Sequence, residues 1–152
     1  GMQQEDLVNM VMKNDITKVN QILTKTNSRL STIVIYKSEM GGTDKAGHLL
    51  IQDNEAYIQF IESLKLDESE YAKFLAVDFK KKNVLVLYQG QKNSGGYEID
   101  IESLSNNKES IVVKKKETGP KKGEMATTVI TSPYCIALIP KGNGVPIISP
   151  FL

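Results

Sequence analysis

Tyr97, Ile99 and Ile101 alternate with Glu98, Asp100 and Glu102, the period of two that marks a half-buried strand. Just upstream, "VLVLY" (Val84 to Tyr88) is apolar throughout, as suits a strand covered on both faces. The polar segment between them holds Gly90, Asn93, Gly95 and Gly96, residues that supply positive φ, so strand, turn and strand read as a β-hairpin. A different period appears at Tyr57, Phe60, Ile61 and Leu64, spaced i, i+3, i+4 and i+7 behind Asp53 as N-cap and Glu55 in the first turn. That pattern predicts a helix over residues 53–65 with one face built for packing.

Toward the N-terminus, Leu7, Val11, and Met10 or Met12 fall near helical spacing, and Asp15 stands where it can cap a second turn through Val19, Ile22 and Leu23. Residues 1–30 therefore read as a helical extension. "STIVIYK" (Ser31 to Lys37) and "HLLIQ" (His48 to Gln52) read as strands joined by the loop "SEMGGTDKAG", a hairpin with a long tip. Ala76 to Phe79 read as extended, leading into the central strand. Farther on, "SIVVKKKE", "MATTVITS" and "PYCIALIPK" read as strands, with Gly119, Pro120 and Gly123 as the turn between the first two. Pro133 has no N–H to give a ladder and belongs at a bulge, a strand start or an edge. The tail, residues 140–152, is apolar, with two prolines within "GNGVPIISPFL", and is expected to lie extended over the core, with an exposed tail awaiting a partner as the alternative.

These elements make one α+β domain of 152 residues. It is dominated by about seven or eight antiparallel strands in a curled sheet or two-layer sandwich, with the helix on an open face. The core is expected to take Ile33, Ile35, Phe60, Ile61, Leu64, Val84, Val86, Tyr97, Ile99, Ile101, Val129, Ile136 and Leu138.

Charge adds one mild asymmetry. The net formal charge is +1, but residues 1–79 hold 8 Lys and Arg against 12 Asp and Glu, and residues 80–122 hold 10 against 5. The lysine runs at Lys80 to Lys82 and Lys114 to Lys116 sit at strand ends without interleaved aromatics, which argues for solvated rims and against a nucleic-acid surface. No apolar run is long enough for a transmembrane segment, and no signal peptide is visible. Gly1 before Met2 reads as a cloning remnant, so Met2 is either the native start of a cytoplasmic protein or the first residue kept after a leader.

Candidate chemistry is sparse. Gly90 and Gly95 have the spacing of a phosphate-binding loop, but Gly96 and Tyr97 stand where Lys and Ser or Thr are required, and a strand follows where a helix should open. One cysteine, Cys135, excludes an internal disulfide; it lies among apolar neighbours and reads as core, with a nucleophile paired to His48, the one histidine, as the alternative. No His and Cys cluster has metal spacing, and Asp67, Glu68 and Glu70 lack the pattern of a calcium loop. The residues therefore identify no catalytic, metal or cofactor site. Asp78, set among apolar residues, reads as a turn cap, with a polar anchor beside the glycine hairpin as the alternative.

The ordered set "VDF", "VLVLYQG", "SGGYEIDI" and "SPYCIALIPK" resembles the C-terminal domain of the protease complex subunit PrcB family, compactly over residues 77–139 and loosely back to Ile33. The family's signature falls on Asp78, Phe79, Gly90, Gly95, Gly96, Tyr97, Pro133 and Tyr134. The resemblance implies a non-catalytic accessory module of the cell envelope or the secreted fraction, with a protein partner such as a secreted protease, and implies lipoprotein anchoring in its relatives. A small-ligand carrier with a pocket between sheet and helix is the alternative.

Overall fold

The computed structural model describes residues 28–30, 32–107, 110–142 and 146–149. In chain order these form β1 (Ser28–Leu30), β2 (Ile33–Ser38), β3 (Gly47–Ile51), α1 (Asn54–Ser63), α2 (Glu68–Tyr71), β4 (Lys82–Tyr88), β5 (Glu98–Asn107), β6 (Ser110–Thr118), β7 (Tyr134–Pro140) and β8 (Ile147–Ser149). The helical reading of residues 1–27 lies outside the described residues, and Ser28–Leu30 is a strand.

The strands form two four-stranded sheets, ordered β1-β5-β6-β8 and β2-β7-β4-β3, antiparallel except that β8 runs parallel to β6. Alternation along β4 explains how they stack. Leu85 and Leu87 point to one cluster with Cys135, Ile139, Ile99, Leu104, Ile111 and Val113, which is the space between the sheets. Val84 and Val86 point the other way, with Ile136 and Tyr134, to meet Tyr57 and Ile61 of α1. The result is three layers, and β4 and β7 are buried on both faces. The expected α+β sandwich with a helix on one face is therefore the architecture observed.

Two bulges keep the faces consistent. In β2 the register against β7 slips between Val34 and Tyr36, so Ile35 and Tyr36 both reach the helix side. In β5 a slip between Ile101 and Ser103 lets Ile99 and Leu104 share the inner face despite their odd spacing. Helix α1 starts where Asp53 Oδ1 accepts from the Ala56 N–H at 2.8 Å. Tyr57 anchors it by donating to the Leu75 carbonyl at 3.0 Å and by an edge contact with Phe79, ring centroids 5.7 Å apart.

The connections differ from the sequence reading. β4 and β5 lie in different sheets, so Gly90 to Gly96 is a crossover between layers rather than a hairpin turn. β2 and β3 likewise sit at opposite edges of one sheet and do not pair with each other. Nearest-neighbour pairing fails at both places because β7, which is apolar on both faces, takes the central place beside β4. "MATTVITS" contributes only an isolated bridge, Thr131 to Lys92, and Met125 and Ile130 are exposed. Its β-branched composition is that of a strand, yet every inner position is already filled. Ile33 and Val129 are accordingly exposed rather than core, and Tyr97 is half-buried. Part of the tail became β8, whose Ile148 packs against the inter-sheet cluster.

Candidate functional site

Three loops meet at one end of the sandwich, residues 39–46 after β2, 89–97 after β4 and 119–133 after β6. Backbone bonds weld them. The Gln89 N–H donates to the Pro133 carbonyl at 2.9 Å, Gln91 to Asp44 at 2.8 Å, Gly42 to Ser132 at 2.9 Å, Ser132 to Glu39 at 2.8 Å and Gly95 to Thr127 at 3.0 Å. Lys92 and Thr131 exchange a reciprocal pair at 2.8 and 2.9 Å. Side chains complete the joint: Glu39 Oε1 accepts from the Gly96 N–H at 3.0 Å, the buried Thr131 hydroxyl donates to the Ser94 carbonyl at 2.9 Å, and Gln89 Nε2 donates to the Thr118 carbonyl at 3.1 Å.

The glycines permit this closeness. Gly90 and Gly96 have φ of +92° and +94°. A Cβ on Gly90 would stand 3.0 Å from the Ala46 nitrogen, and one on Gly96 would stand 3.0 Å from the Pro120 ring. Gly95 is different, because a Cβ there meets chiefly the Glu39 carboxylate at 3.3 Å. Gly119 lies flat against the Tyr97 ring, where a Cβ would come to 2.7 Å, and the Lys92 ammonium sits 5.3 Å from the centre of that ring. Tyr134 is buried beside Gly41, with Tyr36 and Tyr88 rings at 6.0 and 6.3 Å, and burial pushes its hydroxyl up to about 12.

Of the residues singled out from sequence, Gly90, Gly95, Gly96, Tyr97, Pro133 and Tyr134 thus come together. Asp78 and Phe79 do not. They precede Lys82, whereas the loop end follows Tyr88, so about 20 Å of β4 separates them. Asp78 is exposed and caps a turn, its Oδ1 accepting from the Lys80 N–H at 3.1 Å, with Lys141 Nζ donating to the Phe79 carbonyl at 3.0 Å. Sequence reasoning missed Glu39 and Gln89, ordinary polar residues whose partners are supplied only by the fold. Gly41, Gly42 and Gly119 were visible as punctuation, though not as contacts.

A cleft of about 240 Å³ opens beside this joint, lined by Lys37, Ser38, Glu39, Tyr97, Glu98, Ile99 and Tyr134. Lys37 bridges the layers inside it, donating to Glu98 and Asp100 at 3.1 Å each, and those bonds raise its pKa. The cleft is smaller than an ordinary ligand pocket. The space between sheet and α1, where a carrier would keep its ligand, is filled by Tyr57, Ile61, Val84, Val86 and Ile136.

Cys135 is fully buried between the sheets, and burial pushes its thiol up to about 12, the reverse of an activated nucleophile. Both His48 and Cys135 stand opposite Leu87, on either side of β4, so about 10 Å of sheet lies between their backbones and no dyad forms. Among the described residues no group of three or more His, Cys, Asp or Glu is placed to hold a metal ion, and no helix is long and apolar enough to cross a membrane.

The site is thus a rigid, glycine-welded loop platform on a helix-backed β-sandwich. Residues 83–140 match the family model described as PrcB C-terminal, so the resemblance seen in the sequence holds over that segment. The matched segment supplies β4, β5, β6 and β7, which are the inner pairs of the two sheets, while β1, β2, β3 and β8 come from flanking chain. No curated protein and no solved structure matches the chain.

Proposed function

We propose that this chain is a non-catalytic accessory module that binds a secreted protease at the bacterial cell envelope, with the welded loop platform as its contact surface. The observation that carries the reading is where the PrcB C-terminal match falls: it includes the second and third loops with Gly90, Gly95, Gly96 and Gly119, while the first loop, with Gly41 and Gly42, comes from flanking chain. Those same loops expose Met125 at 97% and Ile130 at 57%, with Met40 also exposed. Apolar side chains held out on braced backbone lose little conformational entropy on docking, which is what a protein-binding surface requires. Asp78 and Phe79 belong to the opposite end and take no part.

Affinity capture from the envelope fraction of the source cell, with the full chain as bait, tests this. The expected result is specific recovery of a protease, reduced at least about tenfold with the Met125→Asp/Ile130→Asp double variant, whose exposed sites leave stability near that of wild type. Recovery of no protease, or equal recovery by both baits, rejects the reading.

A further inference from the structure

We propose that the Met125–Ala126 peptide bond is a processing site, cut in the folded protein by a protease that takes a large apolar side chain before the scissile bond. A protease reads its substrate as an extended segment, so in a folded chain it cuts where a run of exposed residues comes free at the cost of few bonds. Residues 121–130 are all exposed, and among the described residues the backbones of Met125 and Ala126 make no hydrogen bond. Between Glu124 and Thr131 the run is tied by one backbone bond, from the Gly95 N–H to the Thr127 carbonyl. Other exposed apolar residues are held more firmly. The Met40 N–H and carbonyl both bond the Ser38 hydroxyl, at 3.1 and 2.9 Å. The Leu75 carbonyl accepts from Tyr57, and its neighbours Phe74 and Val77 pack on the core. Leu49 and Ile58 lie inside β3 and α1. The bond after Ile130 carries the Thr131 N–H, which is fixed to the Lys92 carbonyl.

Local conformation also sets the class of protease. Lys121 and Lys122 are exposed, but the Glu124 N–H donates to the Lys121 carbonyl at 2.9 Å, the Lys121 N–H donates to Glu124 Oε1 at 3.0 Å, and Gly123 has φ of +84°. That closed turn must be undone before either lysine can lie extended, whereas Met125 stands just beyond it. Hydrolysis breaks the C–N bond, with water giving its hydroxyl to the Met125 carbonyl carbon and a hydrogen to the Ala126 nitrogen. Both new ends stay attached, since the turn holds Glu124 while Thr131 remains bonded to Lys92 and to the Ser94 carbonyl. Past them, β7 is locked between β2 and β4. Opening one or two hydrogen bonds makes the cut about tenfold to a hundredfold slower than in the unfolded chain. The cut frees Met125 from its braced loop and so weakens docking at the platform, a consequence that rests on the reading proposed above.

Limited digestion of the full chain with subtilisin, and with trypsin in parallel, tests it by mass spectrometry of the fragments and size exclusion of the nicked protein. Subtilisin is expected to release first, from residues 28–149, a C-terminal fragment beginning at Ala126 that co-elutes with the remainder. Trypsin should cut after Lys121 or Lys122 more slowly, and Glu124→Ala, which opens the turn, should speed that cut about fivefold. Met125→Asp should slow the subtilisin cut at least about tenfold at an unchanged melting temperature. A first subtilisin cut elsewhere in residues 28–149, a faster trypsin cut in the wild type, fragments that separate, or an equal rate in Met125→Asp would overturn the proposal. Subtilisin stands in for the native partner, so the expected cut together with failure of envelope capture rejects the platform reading and leaves the processing site standing.

Discussion

Gly90→Ala separates two costs that are usually confounded. Gly90 and Gly123 have similar positive φ, +92° and +84°, but a Cβ on Gly123 meets nothing within 4 Å, whereas one on Gly90 meets the Ala46 nitrogen at 3.0 Å and the Asp44 carbonyl oxygen at 3.4 Å. The backbone strain of an L-residue there is about 2 kcal/mol. Loss of unfolded-state freedom returns about 0.4–1 kcal/mol. Gly123→Ala should therefore cost about 1 kcal/mol. Gly90→Ala adds a steric term of about 1–3 kcal/mol, because the obstructing atoms are backbone and Asp44 also accepts the 2.8 Å bond from Gln91, which holds the loop in place. Its total is then about 3 kcal/mol. Urea unfolding at equal slope reads the difference directly. If the two variants lose the same stability to within about 0.5 kcal/mol, the close approach of the loops does not contribute as argued.

Other consequences are measurable. Lys37→Met removes the bridge from β2 to Glu98 and Asp100, but the lysine side chain is 39% exposed, so the loss should stay under about 1 kcal/mol and shrink further in high salt; a larger, salt-insensitive loss contradicts this. Burial raises the pKa values of Tyr36, Tyr57, Tyr88 and Tyr134, with the Glu70 hydrogen bond adding to Tyr36, and hydrogen bonds raise that of Lys37. All five lie above their unfolded values, so their stabilisation is complete below about pH 10 and is lost as pH rises through the folded values; a melting temperature unchanged to pH 12 would contradict this. Cys135 should label with a thiol reagent only as fast as the protein unfolds, and rapid labelling at neutral pH would reopen the nucleophile reading.

Helix α1 was legible because its start and its buried stripe are both local: Asp53 caps four residues before Tyr57, and the spacing of Tyr57 and Ile61 is written in the chain. Strands β4, β5 and β7 were legible for the same reason, through burial period. Their partners were not, because pairing is decided by competition among all the strands. The apolar β7 displaced β3 as the neighbour of β2, and β5 left β4 for β6. Of the loop platform, the motif glycines, Tyr97 and Tyr134 could be read ahead of the fold. The part played by Glu39 could not, since its carboxylate meets the Gly96 N–H across 57 positions of chain.

The central position of β7 has a consequence for the order of events during synthesis. β2 is made early, yet among the described residues its only ladder partner is β7, and Ile33 pairs with Leu138. β4 gains β3 as a neighbour at once but must wait for the same strand to be covered on its other edge. The nascent chain therefore carries apolar strands with open edges until residues 134–140 appear, the situation in which non-local topology slows folding and invites chaperones. A nascent chain halted before Tyr134 should bind a chaperone and be cut readily by protease, and one extended past Pro140 should not.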